Sequence, residues 1–314
     1  MKFTLEYPSD MPTAGPEFLQ PAVLSDIVRC AEDAGFAAVA LSEHPAPSLK
    51  WRQGGGHDTL DLIAALAFIA GVTSDIKLMS NLYILTYRNP YLAAKALASL
   101  DILSSGRVIA GVGPGYLRSE FSAVGADFAK RAPLFDEALT LVRKIWTRPD
   151  EPVGGDGFVA HGTMWLHLPV QQPHPPIWIG GNSSAARRRV VEHGQGWSPL
   201  IAPRAVASSL RTPAIEDARQ FGVAVNELKE RLQAAGRDPA TVAIQVEFHL
   251  VDFDDPSAVR RAEEDLAEMA EYGATWAIAH VDATTPEASM DYIAALGETF
   301  IQPAAVTVPA TIDC

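Results

Sequence analysis

Ile177-Trp178-Ile179-Gly180-Gly181-Asn182-Ser183-Ser184 is the stretch that decides the fold. Its apolar start reads as a short buried strand. Two glycines follow, then polar residues suited to a helix N-cap, then the helical run Ala185 to Glu192. A strand running through Gly-Gly into a helix leaves backbone N–H groups free and pointing the same way. The helix dipole adds positive potential, so the spot suits an anion, most often a phosphate. A tight strand-to-helix turn without any ligand has the same appearance, because Gly-rich turns are common punctuation. The segment alone leaves both readings open.

The same strand-then-helix rhythm extends in both directions. Apolar runs at 2–7, 37–41, 76–82, 108–113, 177–180, 196–201, 242–248 and 275–280 predict strands. Helical patterns follow each, beginning near Pro21, Asp58, Pro90, Leu117 (resuming near Pro133), Ser184, Ala214, Pro256 and Pro286. Val23, Leu24, Ile27, Val28 and Ala31 repeat with a helical period. Pro21, Pro90, Pro256 and Pro286 suit a first helical turn, and Gly35 and Gly106 suit helix ends. Near-continuously apolar strands alternating with helices mean a parallel sheet covered by helices. Eight such units over the chain predict an α/β fold, the (β/α)8 TIM barrel, in preference to an open doubly wound sheet. Residues 150–175 break the rhythm with Gly, Pro and His and read as an insertion between the fourth helix and the fifth strand. The expected organisation is one domain over 1–302 and an extended tail over 303–314.

The 314 residues are 48% hydrophobic, which provides for a large core. A net charge of −13 argues against nucleic acid or an anionic membrane as a general partner. Only Cys30 and Cys314 are present, so no disulfide framework is expected. The first ten residues carry Lys2, Glu6 and Asp10 and do not resemble a signal peptide. The most apolar region, 60–72, is interrupted by Asp61 and is too short to span a bilayer. A soluble cytoplasmic protein is the expectation.

In such barrels the chemistry lies at the C-terminal ends of the strands. This nominates Glu6 and Tyr7; Ser42, Glu43 and His44; Asn81 and Tyr83; Gly113, Pro114, Gly115 and Tyr116; Gly180 to Ser184; residues 199–204; Glu247 and His249; and His280 and Asp282. His44 stands out, in a polar loop just past a buried strand. An imidazole there can donate to a ligand or move a proton, or it can simply cap the strand end. His44, His57, Asp58 and His280 raise the thought of a metal, but their spacing argues against one. Glu43 and Glu247 could serve as paired carboxylates for glycoside hydrolysis, or be ion-paired or solvated. No Gly-x-Ser-x-Gly elbow is present. Gly111-Val112-Gly113-Pro114-Gly115-Tyr116 is a second glycine-rich strand end, where a flat ligand could approach the backbone or the chain could merely turn. Arg187, Arg188 and Arg189 point about 100° apart on a helix, so only one or two could reach a phosphate.

Several fragments, taken in order, resemble the bacterial luciferase-like superfamily of flavin- and deazaflavin-dependent oxidoreductases. They are Ser42-Glu43-His44-Pro45, Tyr87-Arg88-Asn89-Pro90, Leu100 to Arg107, Gly111 to Tyr116, Glu120-Phe121, Asp136 to Leu139 and Pro175 to Ser183. The resemblance implies hydride transfer to or from a small organic substrate. It implies coenzyme F420 as cofactor, with FMN and luciferase-like monooxygenation as the alternative and a non-catalytic flavin-binding barrel as a reading of another class. It also implies a homodimer. His44 would act at the reacting centre, with Glu43 and Glu6 as weaker acid/base candidates. Asn81 and Leu82 match a site where the family often has a non-proline cis peptide behind the ring. Gly113, Pro114, Gly115 and Tyr116 match the loop beside the ring, and Gly180, Gly181, Asn182 and Ser183 match a phosphate loop. On that basis Gly181→Val is expected to weaken cofactor binding and leave the fold intact. Ser105 and Gln195 depart from the family's usual Gly and Asp, at positions read as structural turns.

Overall fold

The structure, a computed structural model, describes residues 1–57 and 59–302. Asp58, Cys314 and the expected tail over 303–314 lie outside the described residues. Eight strands form the barrel: β1 (Lys2–Glu6), β2 (Ala38–Leu41), β3 (Lys77–Ser80), β4 (Val108–Gly113), β5 (Ile177–Gly180), β6 (Gly196–Ser198), β7 (Ala243–Phe248) and β8 (Trp276–Ala279). Neighbours pair in parallel around the ring. β3 joins β4 through Leu78 and Val108, and β8 returns to β1 with Trp276 opposite Lys2. That closure excludes the open doubly wound sheet. The outer helices are α1 (Pro21–Asp33), α2 (Leu62–Val72), α3 (Pro90–Leu103), α4 (Arg131–Thr147), α5 (Ser184–His193), α6 (Ala218–Ala234), α7 (Pro256–Tyr272) and α8 (Pro286–Leu296). None of the helices among the described residues is long and apolar enough to cross a membrane.

Local chemistry explains where elements start and stop. Pro21, Pro90, Pro256 and Pro286 open α1, α3, α7 and α8, where the missing N–H is not needed. α2 begins at Leu62, later than the sequence suggested, because the Asp61 carboxylate accepts from the Ala64 N–H. α6 likewise waits for Asp217, which accepts from the Gln220 N–H, and a separate short helix (Arg204–Ser209) precedes it. β6 stops at Ser198, before Pro199, which has no N–H for a ladder. The third predicted strand is interrupted after Ser80. The Asn81–Leu82 peptide is cis, and Tyr83–Ile84 rejoins the sheet beside the end of β4. Gly35 and Gly106, expected at helix ends, take φ +87° and +86°. The insertion carries a small antiparallel pair, Gly154–Gly155 with Phe158–Val159.

Strand side chains alternate between the helical shell and the barrel interior. Phe3, Leu5, Val39, Leu41, Val108, Ala110, Val112, Ile177, Ile179, Ile244 and Val246 pack outward in the main core. Ala38, Ala40, Met79, Ile109, Trp178, Trp276 and Ile278 form a separate inner cluster. Trp178 and Trp276 meet edge to face, 5.1 Å between centroids. Such rings each bury ~200 Å² when enclosed, worth about 5 kcal/mol at ~25 cal/mol/Å² before ordering entropy. Gly196 makes room for them, since a Cβ there would stand 2.4 Å from the Trp178 ring. Thr4, Gln245 and Ser198 form a hydrogen-bonded polar group inside the barrel, Thr4 donating to Gln245 and Gln245 to Ser198.

Candidate active site at the barrel mouth

The same alternation sorts the strand-end candidates. Glu6 follows Thr4 on the inward face of β1, Glu247 follows Gln245 on β7, and His280 follows Ile278 on β8. On β2 the inward row Ala38, Ala40 continues through Ser42 to His44, which places Glu43 on the other face. Glu43 is 8% exposed and ion-paired with Arg88. Its Oε2 accepts from the Ile84 N–H at 2.6 Å and from Arg88 Nη1 at 3.1 Å, while the Arg88 guanidinium carbon lies 3.9 Å from the Tyr83 ring centre. Burial raises the pKa of Glu43 against the pull of Arg88, and the pair raises that of Arg88 despite its own burial. Glu43 is therefore a structural anion between strand and shell, not an acid/base group at the mouth. It cannot face Glu247 as a glycosidase partner.

His44 sits in a different environment. Its Nδ1 is 3.2 Å from Oε1 of Glu120, a carboxylate 1% exposed on the short helix Arg118–Ala123. Tyr87 donates to the other oxygen at 3.0 Å. Burial, then Glu120, pushes the Tyr87 phenol well above its usual range, so it remains a donor. A carboxylate oxygen accepts, so the hydrogen of this contact sits on Nδ1, and Nε2 is the ring nitrogen left outside the pair. Trp51 packs against the imidazole at 4.4 Å, His57 at 5.0 Å and Tyr116 at 6.1 Å between ring centres. Ser42 Oγ lies 2.9 Å from His57 Nε2.

Glu6, Glu247 and His280 do converge, with Asp10 beside them. His280 Nδ1 is 2.6 Å from Glu6 Oε2, a close contact that lacks hydrogen-bond alignment. Asp10 is raised to about 7 by burial and then by Glu6, although the Ser42 N–H bonds it. Glu247 is raised to about 7 by burial and by Glu6, against His280. Burial opposes charge on His280, but Glu6, Glu247 and Asp10 outweigh it and raise its pKa. All three shifts have one sign for stability. Between ordinary carboxylate values and about 7, Asp10 and Glu247 hold protons in the folded state that the unfolded chain has lost. The stability from His280 is complete below ~6.5 and is lost as pH rises through its higher folded pKa. These three groups push the urea midpoint down as pH rises from 5 to 8, against His174 and His193, whose burial lowers their pKa and favours folding as pH rises toward 6.5. Each group contributes at most about 1.4 kcal/mol per pH unit. Glu247→Gln should flatten the slope, and an unchanged slope would refute the assignment.

The glycine-rich strand ends have a cause that the sequence did not disclose. A Cβ on Gly180 would lie 2.1 Å from Leu82 Cδ1, and one on Gly113 would lie 2.9 Å from it. These glycines admit the Leu82 side chain, and the space is not open to a flat ligand. Gly115 has φ +74°, and a Cβ there would meet Phe121 at 2.8 Å and Ile84 at 2.9 Å. Pro114 offers its carbonyl to Thr86, and the Asn81 N–H bonds Leu41 O.

The loop into α5 is also more committed than expected. The Gly181 N–H donates to Ser198 O and the Asn182 N–H to Thr212 Oγ1. The Asn182 side chain ties down Leu200 and Pro213, and Ser183 Oγ caps α5 at Ala186. Gly181 and Asn182 thus do not present free donors. Among the described residues, the N–H groups at Ser183 and Ser184 remain without a partner. The three arginines of α5 are engaged: Arg187 with Asn182 O and Glu227, Arg188 with Asp136 and Glu192, Arg189 with Asp136. Gly181 has φ +100° with open space at its missing Cβ, where the nearest atom is 3.8 Å away. Gly181→Val should therefore act by backbone strain of about 1–2 kcal/mol, contrary to the expected block on the backbone with an intact fold.

Glu120, Trp51, Tyr87 and Asp10 were not singled out as site residues by sequence reasoning, and His57 was weighed only as a metal ligand. Glu120 and Tyr87 carried a signal, both lying in fragments that bear the family resemblance, and Glu120 is also an acid in the first turn of a helix just past a strand end. Trp51 and Asp10 reach the mouth on short helical turns after the strands, Leu49–Gln53 and Pro8–Asp10, whose placement no periodicity encodes.

The luciferase-like monooxygenase profile matches residues 3–293. An F420-dependent hydroxymycolic acid dehydrogenase of Mycobacterium tuberculosis is 29% identical over 238 residues, covering 75% of this chain and 60% of that protein. An F420-dependent glucose-6-phosphate dehydrogenase of Gordonia bronchialis is 31% identical over 189 residues, covering 59% of this chain and 54% of that protein. The chain thus spans somewhat over half the length of these curated relatives. A monooxygenase structure from Streptomyces bottropensis aligns with a TM-score of 0.75 at 21% identity, covering 97% of this chain and 100% of that one. The coenzyme F420 dependent tetrahydromethanopterin reductase from Methanopyrus kandleri aligns at 0.70 and 16% identity, covering 96% and 99%. With a closed parallel barrel and a profile match over nearly its whole length, the chain belongs to the luciferase-like monooxygenase family.

Proposed function

We propose that the protein is an F420-dependent oxidoreductase acting on a small organic substrate at the barrel mouth. The observation that carries this reading is the His44–Glu120–Tyr87 chain: a buried carboxylate holds the imidazole by Nδ1 beside an aromatic wall. The F420-dependent dehydrogenases among the relatives support the choice of cofactor. The residues present fit such a group, with free N–H donors at Ser183 and Ser184 for a phosphate and the aromatic wall of Trp51 and Tyr116 beside His44 for a ring. When bound, the deazaflavin supplies or accepts hydride at its ring C5. The chain's own part is proton handling. His44 Nε2 takes a proton from the substrate in the oxidising direction and returns it in the reducing one, and Glu120 stabilises the charged ring between the two.

The test is a titration of the apoprotein with the deazaflavin and with FMN, read by tryptophan fluorescence, for which Trp51 beside His44 is a reporter. Tight deazaflavin binding with weak FMN binding is expected. Preference for FMN would move the protein to the oxygen-using branch, and binding of neither would overturn the reading. In turnover assays with a panel of alcohols, His44→Gln should lose roughly 10²–10⁴ in rate with cofactor affinity retained.

A further inference from the structure

Three arginines meet around one phenyl ring at the rim of the mouth. The guanidinium carbons of Arg131, Arg118 and Arg211 lie 4.1, 4.6 and 5.3 Å from the centre of the Phe128 ring. Arg118 and Arg211 are exposed and Arg131 is half-buried. Among the described residues none of the three pairs with a carboxylate. Arg131 Nη1 donates only to Phe128 O and Arg211 Nε only to Tyr116 O. Nearby acids are engaged elsewhere: Glu120 with His44 and Tyr87, Asp127 with the Ala129 N–H, and Asp156 with Lys130. Burial and then the charges of Arg211 and Arg118 lower the pKa of Arg131. Three like charges gathered on one ring repel one another, and one ring offers only two faces to cations. In a chain of net charge −13 this local excess of positive charge has no structural partner.

A second observation concerns the backbone. Arg211 has φ 56°, in the left-handed region that disfavours side chains other than Gly and Asn. The strain falls beside Thr212, whose hydroxyl binds the Asn182 N–H of the strand-five loop. Arg211 Nε is bonded to Tyr116 O in the strand-four loop, so the guanidinium stands between the two loops that frame the mouth. An arginine held in a costly backbone conformation between these loops points to a use for its side chain.

We propose that Arg118, Arg131 and Arg211 form an anion site at the rim, separate from the N-terminus of α5, that takes a carboxylate- or phosphate-bearing arm of the ligand held in the mouth. It rests on the proposed function only in taking the mouth as the ligand site. Guanidinium forks suit both anions, and several together favour an arm with more than one negative group.

Citrate serves as the probe, titrated into the full apoprotein at low salt by calorimetry. One citrate per chain is expected. Arg118→Gln and Arg131→Gln should each weaken binding about tenfold or more. Arg211→Gly should weaken it as much while melting at the same or a higher temperature, because glycine relaxes the left-handed backbone. Loss of binding in a variant that stable cannot be attributed to misfolding. Absence of citrate binding, or equal binding by the three variants, would overturn the proposal. If citrate competes with the deazaflavin and the variants weaken the coenzyme too, the arm belongs to the cofactor. If coenzyme affinity is unchanged, the arm belongs to the substrate. Citrate binding without any coenzyme binding would defeat the F420 reading and leave this site standing.

Discussion

Arg88→Met is expected to destabilise the fold by about 3–5 kcal/mol, the range for leaving a buried charge without its partner. Glu43 is 8% exposed, and Arg88 is its only cationic partner among the described residues. Without the guanidinium, its carboxylate retains just the Ile84 N–H. The variant should regain stability as pH falls, because Glu43, already raised by burial, would then fold protonated. A carboxyl raised in the folded state contributes stability that is complete below its unfolded pKa and is lost as pH rises through its folded one. Glu43→Gln in the Arg88→Met background should recover much of the loss, since the residue left behind is neutral. Urea denaturation at pH 5 and pH 8 measures both effects. Were Glu43 an acid/base group, Glu43→Gln alone would abolish turnover with little effect on the urea midpoint, the opposite of what the ion pair predicts.

Gly111→Ala should be at least as damaging, for a steric reason. The new Cβ would lie 2.0 Å from the carbonyl oxygen of Ser80 on the neighbouring strand. A backbone oxygen cannot rotate away, and Ser80 Oγ is itself bonded to Gly111 O. Relief requires parting β3 from β4 where they close the barrel, so the cost should exceed the ~1–3 kcal/mol typical of side-chain overpacking. Gly180→Ala offers the contrast. Its Cβ would meet Leu82 Cδ1, the end of a side chain, and the cost should stay within ~1–3 kcal/mol. Leu82→Ala should offset part of that loss in the double variant, a coupling that denaturation of the four proteins would show. Additive losses would mean that Leu82 is not what Gly180 accommodates.

Particular residues show how far the sequence could be read. β4 and β5 fall at the predicted 108–113 and 177–180, because apolar runs bounded by Gly and Pro leave little freedom of boundary. Helices opened by proline begin where expected, whereas those opened by Asp61 and Asp217 begin later. Proline constrains its own φ, but a capping carboxylate acts only once it finds the N–H three residues on. Glu43 was legible in principle. The period of two that sends Ala38 and Ala40 inward also sends Glu43 outward.

By itself the sequence determined the eight-fold alternation, the barrel it closes into, and the strand ends at which Glu6, His44, Glu247 and His280 stand. These follow from local propensity and periodicity, which each segment carries alone. Tertiary structure alone decided that Glu120 and Tyr87 fix His44, that Leu82 fills the space over Gly113 and Gly180, that Gly181 and Asn182 spend their donors on Ser198 and Thr212, and that Arg118, Arg131 and Arg211 share Phe128. The reason is one of range. Those contacts join side chains on different strands and loops, and their distances exist only once the barrel has closed.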